Sequence, residues 1–367
     1  MNNMRVGIDA TILGKGKGGV ERFLERIVAL LPVEDTDNKY IIFVNKEYYP
    51  TLSVTENVNW AFYPMPTDNR ILARILTFPY LMFKYKLDVL MVQRLAPLWG
   101  ASRIVVVIHD LVPIKYAKNY KGITNLLVRL FTRFTVFRAS LILTPTQTIA
   151  AEIRDYYPQV QAPIYPYFNG VDINAFPQRS SEALHQAQSA ANKLLFIGAI
   201  ESRKNLEVVI RALAVSTEME TFELVIVGPS RDQKYAQSLH VLAEQLGVSS
   251  RIQYVGFVTN QRLAELYQQA FLLLAPSWDE GFNMPPLEAM ASGLPVICSN
   301  IPVHQELFKD AAWFFEPDSP ESLAKIILTA KNLNHEYVKA VENGVLTTKR
   351  YQWRDAAMRI AASLAKI

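Results

Sequence analysis

Cysteine is almost missing: only Cys298 occurs among the 367 residues. An internal disulfide framework is therefore excluded, and a reducing compartment suits the chain. Long uncharged apolar runs are missing too. The greasiest stretches, RILARILTFPYLMFKYK and NLLVRLFTRFTVFRASLIL, are cut by Arg or Lys before about 18 uncharged residues accumulate. No membrane span is expected. The opening MNNMRVGIDA reads as a strand and lacks the apolar stretch and small-residue cleavage site of a secretory signal. The expectation is a cytoplasmic protein. No internal repeat and no low-complexity segment occurs, which sets solenoid arrays aside.

What is present is a chain about half apolar, long enough to bury two ordinary cores. Its net charge of +4 is mild but unevenly divided. Residues 1–175 hold 20 Lys+Arg against 14 Asp+Glu, whereas the remainder holds 18 against 20. A basic first half favours an anionic partner: a lipid headgroup surface, a phosphorylated acceptor or nucleic acid. Nucleic acid is the least favoured, because the basic residues do not interleave with aromatics in any recognisable module.

Apolar runs of strand length recur between amphipathic stretches: MRVGIDA, YIIFVN, LDVLMV, RIVVVIHD and LILTPT, then LLFIGAI, FELVIVG, RIQYVGF, FLLLAPS and PVICSN. Short continuous apolar strands alternating with helices predict parallel sheets covered on both faces. The fold class expected is α/β, with two Rossmann-like doubly wound domains facing a central cleft. The alternation breaks at the polar stretch 178–193, read as a linker. This sets an N-terminal domain at 1–177 and a C-terminal domain at 194–351. The amphipathic end of the chain, 352–367, is free to pack back on the first domain.

GKGKGG at 14–19 matches G-x-G-x-x-G, but the context of a dinucleotide clamp is wrong. TIL intervenes between the strand end and Gly14, and the acids at the expected distance, Asp35 and Asp37, precede the next strand instead of ending it. Two readings stay open. Gly18 and Gly19 let backbone amides approach an anion at a helix start, or the segment is a plain surface loop. The DTD of residues 35–37 resembles a metal-binding D-x-D pair, but its place between helix and strand predicts a solvated turn. No metal site is expected.

PSWDEGFNMPPLEAMASGLPVICSN follows the strand FLLLA. Pro285 and Pro286 suit a first helical turn and Gly293 suits a stop, so Glu280 falls in the loop before a short helix and Glu288 within it. A loop carboxylate can accept hydrogen bonds from sugar hydroxyls, and one in the helix can reach a ribose diol. The amides of Gly281, Phe282 and Asn283 add donors. Taken without its neighbours, Glu288 is an acid favoured by the helix dipole.

With EGFNMPPLE and AMASGLPVICSN, the segments LLFIGAIESRKNLEVVIRAL, LVIVGPS, YVGFVTNQRLAELYQQAFLLLAPS, NGVDINAF and VIHDLVP make the chain resemble retaining glycosyltransferases of the GT-B type, group 1 or family 4. The resemblance covers most of the chain. It implies that Glu280 contacts the donor sugar, Glu288 the ribose, and Arg203 and Lys204 the diphosphate. It also implies that His109 lies near the reacting sugar and that Phe257 and Val258 touch the base. Without the resemblance, ESRKNLE reads as a charged helix start, His109 as a structural histidine and Phe257 and Val258 as core. Asp110 is either an orienting residue or a turn cap. Asn283 and Met284 depart from the family's more frequent glycine and leucine.

The function implied is transfer of a sugar from a nucleotide diphosphate sugar, a co-substrate rather than a cofactor, to a hydroxyl of a saccharide or lipid-linked acceptor. The RKN and PPLEAM forms resemble mannosyltransferases of surface-polysaccharide synthesis, which puts GDP-mannose first and UDP-hexoses next. A nucleotide-sugar epimerase and a silent nucleotide-sugar-binding protein are the alternatives. The basic segments at 70–86 and 121–138 suit peripheral contact with the inner face of a membrane, or else are amphipathic core helices.

Overall fold

The computed structural model describes residues 3–16, 18–49, 59–116, 123–179 and 192–367. Among these, every strand pairing is parallel and the strands form two sheets. The first contains β1 (Arg5–Asp9), β2 (Lys39–Val44), β3 (Trp60–Pro64), β4 (Val89–Gln93), β5 (Arg103–Val107), β6 (Leu141–Thr144) and β7 (Ile164–Pro166), in the order β3-β2-β1-β4-β5-β6-β7. The second contains β8 (Lys193–Ile197), β9 (Glu223–Val227), β10 (Ile252–Gly256), β11 (Leu272–Ala275), β12 (Val296–Ser299) and β13 (Ala312–Phe315), in the order β10-β9-β8-β11-β12-β13.

Continuous apolar strands make sense in this arrangement. Val89–Val92 of β4 and Ile104–Val107 of β5 are all buried, because helices cover both faces and leave no solvent side for polar residues. The strand order reverses between β1 and β4 and again between β8 and β11. At such switch points neighbouring loops diverge at the carboxyl edge, and ligands of doubly wound sheets bind there. Chain packing fixes one of these edges closely. A Cβ on Gly228 would come within 2.1 Å of the Gly198 carbonyl oxygen, so the loops after β8 and β9 touch backbone to backbone.

Two compact units result: Met1–Gly170 with Trp353–Ile367, and Val171–Gln352. The changeover falls at residue 170, before the expected border at 177. Phe176 packs edge-on against Tyr267, and the buried Arg179 donates to the carbonyls of Tyr267 and Ala270. These contacts tie residues 171–179 to the second unit. The expected linker lies, over 180–191, outside the described residues, as do residues 121 and 122 of the second basic segment.

The last helix, Trp353–Leu364, packs along the Gly19–Glu34 helix of the first unit. Its Ala356, Ala357, Ile360 and Leu364 are fully buried, while Arg354 pairs with Glu34 at 2.9 Å. Burial of this apolar face gives most of the attachment, since an exposed ion pair adds under about 1 kcal/mol. Ile360→Ala should therefore lower the stability of the first unit by about 2–5 kcal/mol, read as a fall in its urea midpoint. An unchanged midpoint would mean that the helix is not integral to that unit.

Candidate functional site

At the switch point of the second sheet, two loops are joined side by side. The loop after β8 forms the short turn Ser202–Lys204, ended by Asn205 in the left-handed conformation at φ 53°. The Asn205 side chain donates to the carbonyls of Pro276, at 3.1 Å, and Pro317, at 2.7 Å. The Trp278 amide returns a bond to the Arg203 carbonyl at 2.9 Å. These bonds bring Arg203 and Lys204 against the loop after β11.

Glu280 is where the two loops meet. Its Oε1 accepts from Lys204 Nζ at 2.5 Å and from the Ser277 hydroxyl at 2.6 Å, and its Oε2 from Arg203 at 2.8 Å. The same guanidinium donates to the Asp279 carbonyl and to Glu201, each at 2.6 Å. Glu280 is buried. Burial alone opposes its charge, but Lys204 and Arg203, helped by the Ser277 hydroxyl, outweigh this and hold the carboxyl well below the usual carboxylate range. Arg203 is likewise penalised by burial and more than compensated by Glu280 and Glu201, which push its pKa up. The result is a pre-positioned pair of cations.

Downstream, Gly281 and Phe282 are buried, and Asn283, at φ 67°, leads into the Met284–Ala291 helix. Phe282 meets Tyr351 edge-on. The Asn283 amide nitrogen lies 2.9 Å from Nε2 of His304, a fully buried residue on the Pro302–Phe308 helix. His304 Nδ1 is 3.0 Å from the Ser299 carbonyl. Burial lowers the His304 pKa to about 4, so the ring is neutral at neutral pH. Glu288 is buried within the helix, and its Oε2 accepts from the Tyr267 hydroxyl at 2.9 Å. It is thus an inward-facing, hydrogen-bonded acid, unlike an exposed residue that merely complements the helix dipole.

Phe257 and Val258 follow β10. Phe257 is 86% exposed, which rules out core packing for it, while Val258 is half-buried. Beside them a cavity of about 450 Å³ opens at the carboxyl ends of β8, β9 and β10, lined by Gly228, Pro229, Ser230, His240, Tyr254 and Gly256. The second unit therefore gathers Arg203, Lys204, Glu280, Gly281, Phe282, Asn283 and Glu288 along one edge. Phe257 and Val258 stand at the end of that sheet's outermost strand.

His109, Gly18 and Gly19 belong to the first unit. His109 follows β5 and is held from both sides: Nε2 lies 2.8 Å from Gln93 Oε1 at the end of β4, and Nδ1 lies 3.0 Å from the Tyr167 hydroxyl. Phe23 packs edge-on to the ring at 4.9 Å. Burial lowers its pKa to about 4, the raising effect of Asp110 being smaller. Asp110 makes no bond to the imidazole. It caps the next turn through the Val112 amide, at 3.1 Å, and pairs with Arg94 at 3.0 Å.

Gly18, at φ 67°, precedes the Gly19–Glu34 helix, and a Cβ on either glycine would meet nothing within 4 Å. The Lys15 amide of this loop donates to Glu21 at 3.0 Å, so an internal carboxylate already occupies part of the helix start. The expected solvated turn at 35–37 needs correction. Asp35 is buried and accepts from Asn38, at 2.8 Å, and from the Tyr40 hydroxyl, at 2.5 Å. Sequence reasoning missed Glu201, Ser277, His304, Gln93 and Tyr167. The available signal for His304 was Asn283 itself, a polar side chain standing where glycine is usual and so requiring a partner.

Comparison with known proteins identifies the family. Residues 179–347 match the family model described as glycosyl transferases group 1, and residues 17–175 match glycosyltransferase family 4. The chain belongs to the group 1 glycosyltransferases. Among curated relatives, this glycosyltransferase is 30% identical over 228 residues to the O-antigen chain mannosyltransferase RfbU of Salmonella typhimurium, covering 62% of the chain and 61% of RfbU. It is 26% identical over 267 residues to the serotype-specific mannosyltransferase WbdA of Escherichia coli, covering 70% of the chain and 32% of WbdA. The chain thus spans less than two thirds of the length of each of these relatives.

Solved structures share its GT-B fold. A sucrose-phosphate synthase from Thermosynechococcus elongatus superposes with a TM-score of 0.78 at 15% identity, covering 99% of this chain and 98% of that one. Anabaena HepE, in complex with UDP and glucose, gives 0.73 at 18% identity, covering 99% and 100%.

The two neutral histidines make the stability of this glycosyltransferase depend on pH. An unfolded histidine takes up a proton near pH 6.5, but His304 in the fold does so only near 4. Between these values the unfolded chain binds more protons, so stability that is complete above about pH 6.5 is lost as the pH falls toward 4. His304 alone should contribute a loss of up to about 3 kcal/mol across that window. His304→Gln should flatten this part of a plot of urea midpoint against pH. An unchanged slope would show that His304 is not buried in its neutral form.

Proposed function

We propose that the protein transfers a sugar from a nucleotide diphosphate sugar to an acceptor hydroxyl with the anomeric configuration retained. The observation that carries this reading is the convergence of Arg203 and Lys204 on buried Glu280 at the switch point of the second sheet. As the bond between the sugar's C1 and the diphosphate oxygen breaks, charge accumulates on the departing phosphate. Cations already fixed in place stabilise that charge more in the transition state than in the ground state. Glu280 would accept from the donor sugar, Glu288 would hold the ribose, and the base would occupy the cavity beside Phe257 and Val258.

In the front-face route we favour, the diphosphate leaves, the acceptor oxygen bonds to C1 on the same face, and the acceptor's proton passes to the departing phosphate. Charge compensation is assigned to Arg203 and Lys204 rather than to a metal. His109, neutral and held by Gln93 and Tyr167, is assigned a positioning role. Mannose is the first choice of sugar, because mannosyltransferases recur among the named relatives. That argues for GDP-mannose, and the UDP complexes of HepE keep UDP-hexoses next. The O-antigen chain mannosyltransferases among these relatives support a role in surface polysaccharide synthesis.

The first unit supports a lipid-linked acceptor. Segments 70–86, 94–103 and 123–138 contain no Asp or Glu. Phe83 is 85% and Ile71 72% exposed, with Leu76, Trp99, Leu126 and Leu130 also outside the core. Lys84, Arg129 and Arg133 are exposed among them. The 94–100 loop stitches the two helical segments together: the Leu98 amide bonds to the Arg74 carbonyl, and Arg138 to the Gly100 carbonyl. Apolar side chains among unopposed cations suit an anionic lipid surface. Among the described residues, no helix is long and apolar enough to cross a membrane.

Lys204→Ala should lower kcat by roughly 10²-fold in a donor panel of GDP-, UDP- and ADP-sugars, and wild-type turnover would remove Lys204 from the site. Glu288→Ala should weaken nucleotide affinity by calorimetry, whereas unchanged affinity would remove its ribose role. For the surface, the protein should float with phosphatidylcholine vesicles containing phosphatidylglycerol and not with phosphatidylcholine alone. Phe83→Asp should abolish flotation, and no binding by the wild type would overturn the membrane contact.

A further inference from the structure

We propose that Asn283 reads a hydroxyl of the donor sugar through its carbonyl oxygen, and that His304 is the positioning residue that fixes this orientation. The inference rests on the nucleotide-sugar reading of the second unit. Asn283 sits at φ 67°, ψ 81°, a conformation glycine adopts freely and asparagine is among the better side chains to tolerate. A side chain at such a position is strained, so its presence calls for a function or a partner.

The hydrogen-bond chain determines which end of the amide faces which way. The Ser299 carbonyl can only accept, so His304 Nδ1, 3.0 Å away, carries the ring proton. The Ser299 hydroxyl donates to the Ser277 carbonyl at 2.5 Å, which leaves its lone pairs toward Nδ1 at 3.2 Å. Nε2 is therefore a bare acceptor, and Asn283 must offer it the NH2 group at 2.9 Å. The opposite end, Oδ1, has no partner among the described residues. An unsupported asparagine could rotate to donate or accept, whereas this one presents only an acceptor.

Its place gives that acceptor a target. Asn283 stands three residues after Glu280 and at the start of the helix carrying Glu288, between the acids assigned to the sugar and the ribose. An oxygen fixed there favours a hexose with a free hydroxyl at the facing carbon over its epimer or a deoxy analogue, because the latter leaves the acceptor unpaired.

The test compares kcat and KM for GDP-mannose, GDP-glucose, UDP-glucose and UDP-galactose, with calorimetric affinity for GDP and UDP as a control. Asn283→Gly, which suits the backbone conformation, should lower kcat/KM for the best donor about three- to tenfold. It should also shrink the preference between epimers, with nucleoside diphosphate affinity unchanged. His304→Gln, whose amide can still accept from Asn283 and donate to Ser299, should keep the preference, whereas His304→Leu should lose it. Thermal midpoints verify that the variants are folded. Wild-type selectivity in Asn283→Gly, or equal behaviour of the two His304 variants, overturns the inference alone. Failure of the wild type to bind either nucleoside diphosphate overturns the site reading and this inference with it.

Discussion

A buried carboxylate, Glu280, is the group around which the second unit's edge is organised. Two adjacent cations in a half-buried loop repel one another, by an amount of order 4 kcal/mol for charges 4 Å apart near a protein surface. Glu280 removes that conflict by giving one oxygen to each, and Glu201 takes another arm of the guanidinium. Because the acid comes from the loop after β11 and the bases from the loop after β8, the ion pairs also join two segments distant in sequence. Losing one member of such a buried group costs about 3–5 kcal/mol, mostly from charge left uncompensated.

Neutral imidazoles play a different part. His304 and His109 both have pKa values lowered to about 4 by burial, and both have their two ring nitrogens engaged. Neither brings positive charge to its surroundings at neutral pH. Each instead transmits orientation, His304 from the Ser299 carbonyl to Asn283, and His109 between Tyr167 and Gln93. Charge in the second unit's edge is thus left to Arg203, Lys204 and their acids, while the histidines fix dipoles.

Much of this was legible beforehand, for physical reasons that differ by feature. Parallel strands buried on two faces are continuous apolar runs, so RIVVV and FLLLA announced themselves without any partner being known. Bringing Arg203, Lys204 and Glu280 to one site came from the family resemblance of their motifs, since ESRKNLE by itself reads as a charged helix start. Partner choice was not legible. That Ser277 bonds Glu280, or that His304 sits behind Asn283, depends on a loop and a helix packed by tertiary contacts that no local pattern encodes. Asp35 misled for the same reason: a polar turn by composition, it is buried because Tyr40 and Asn38 fold over it. That the compact units change over at residue 170 was likewise not legible, because Phe176 and Arg179 find their partners in Tyr267 and Ala270, about 90 residues on.

The state of Glu280 also bears on how retention would be achieved. A covalent route needs a carboxylate basic enough to attack C1. Glu280 has committed Oε1 to Lys204 and Ser277 and Oε2 to Arg203, and these partners depress its pKa well below the ordinary range. Each effect lowers nucleophilicity, since electron density drawn toward the cations is not available for bond formation. The same partners suit it to the role proposed for it, a fixed acceptor that would align the sugar's hydroxyls while the two cations would compensate the leaving diphosphate. The local electrostatics therefore favour same-face departure and attack over a glycosyl-enzyme on this residue.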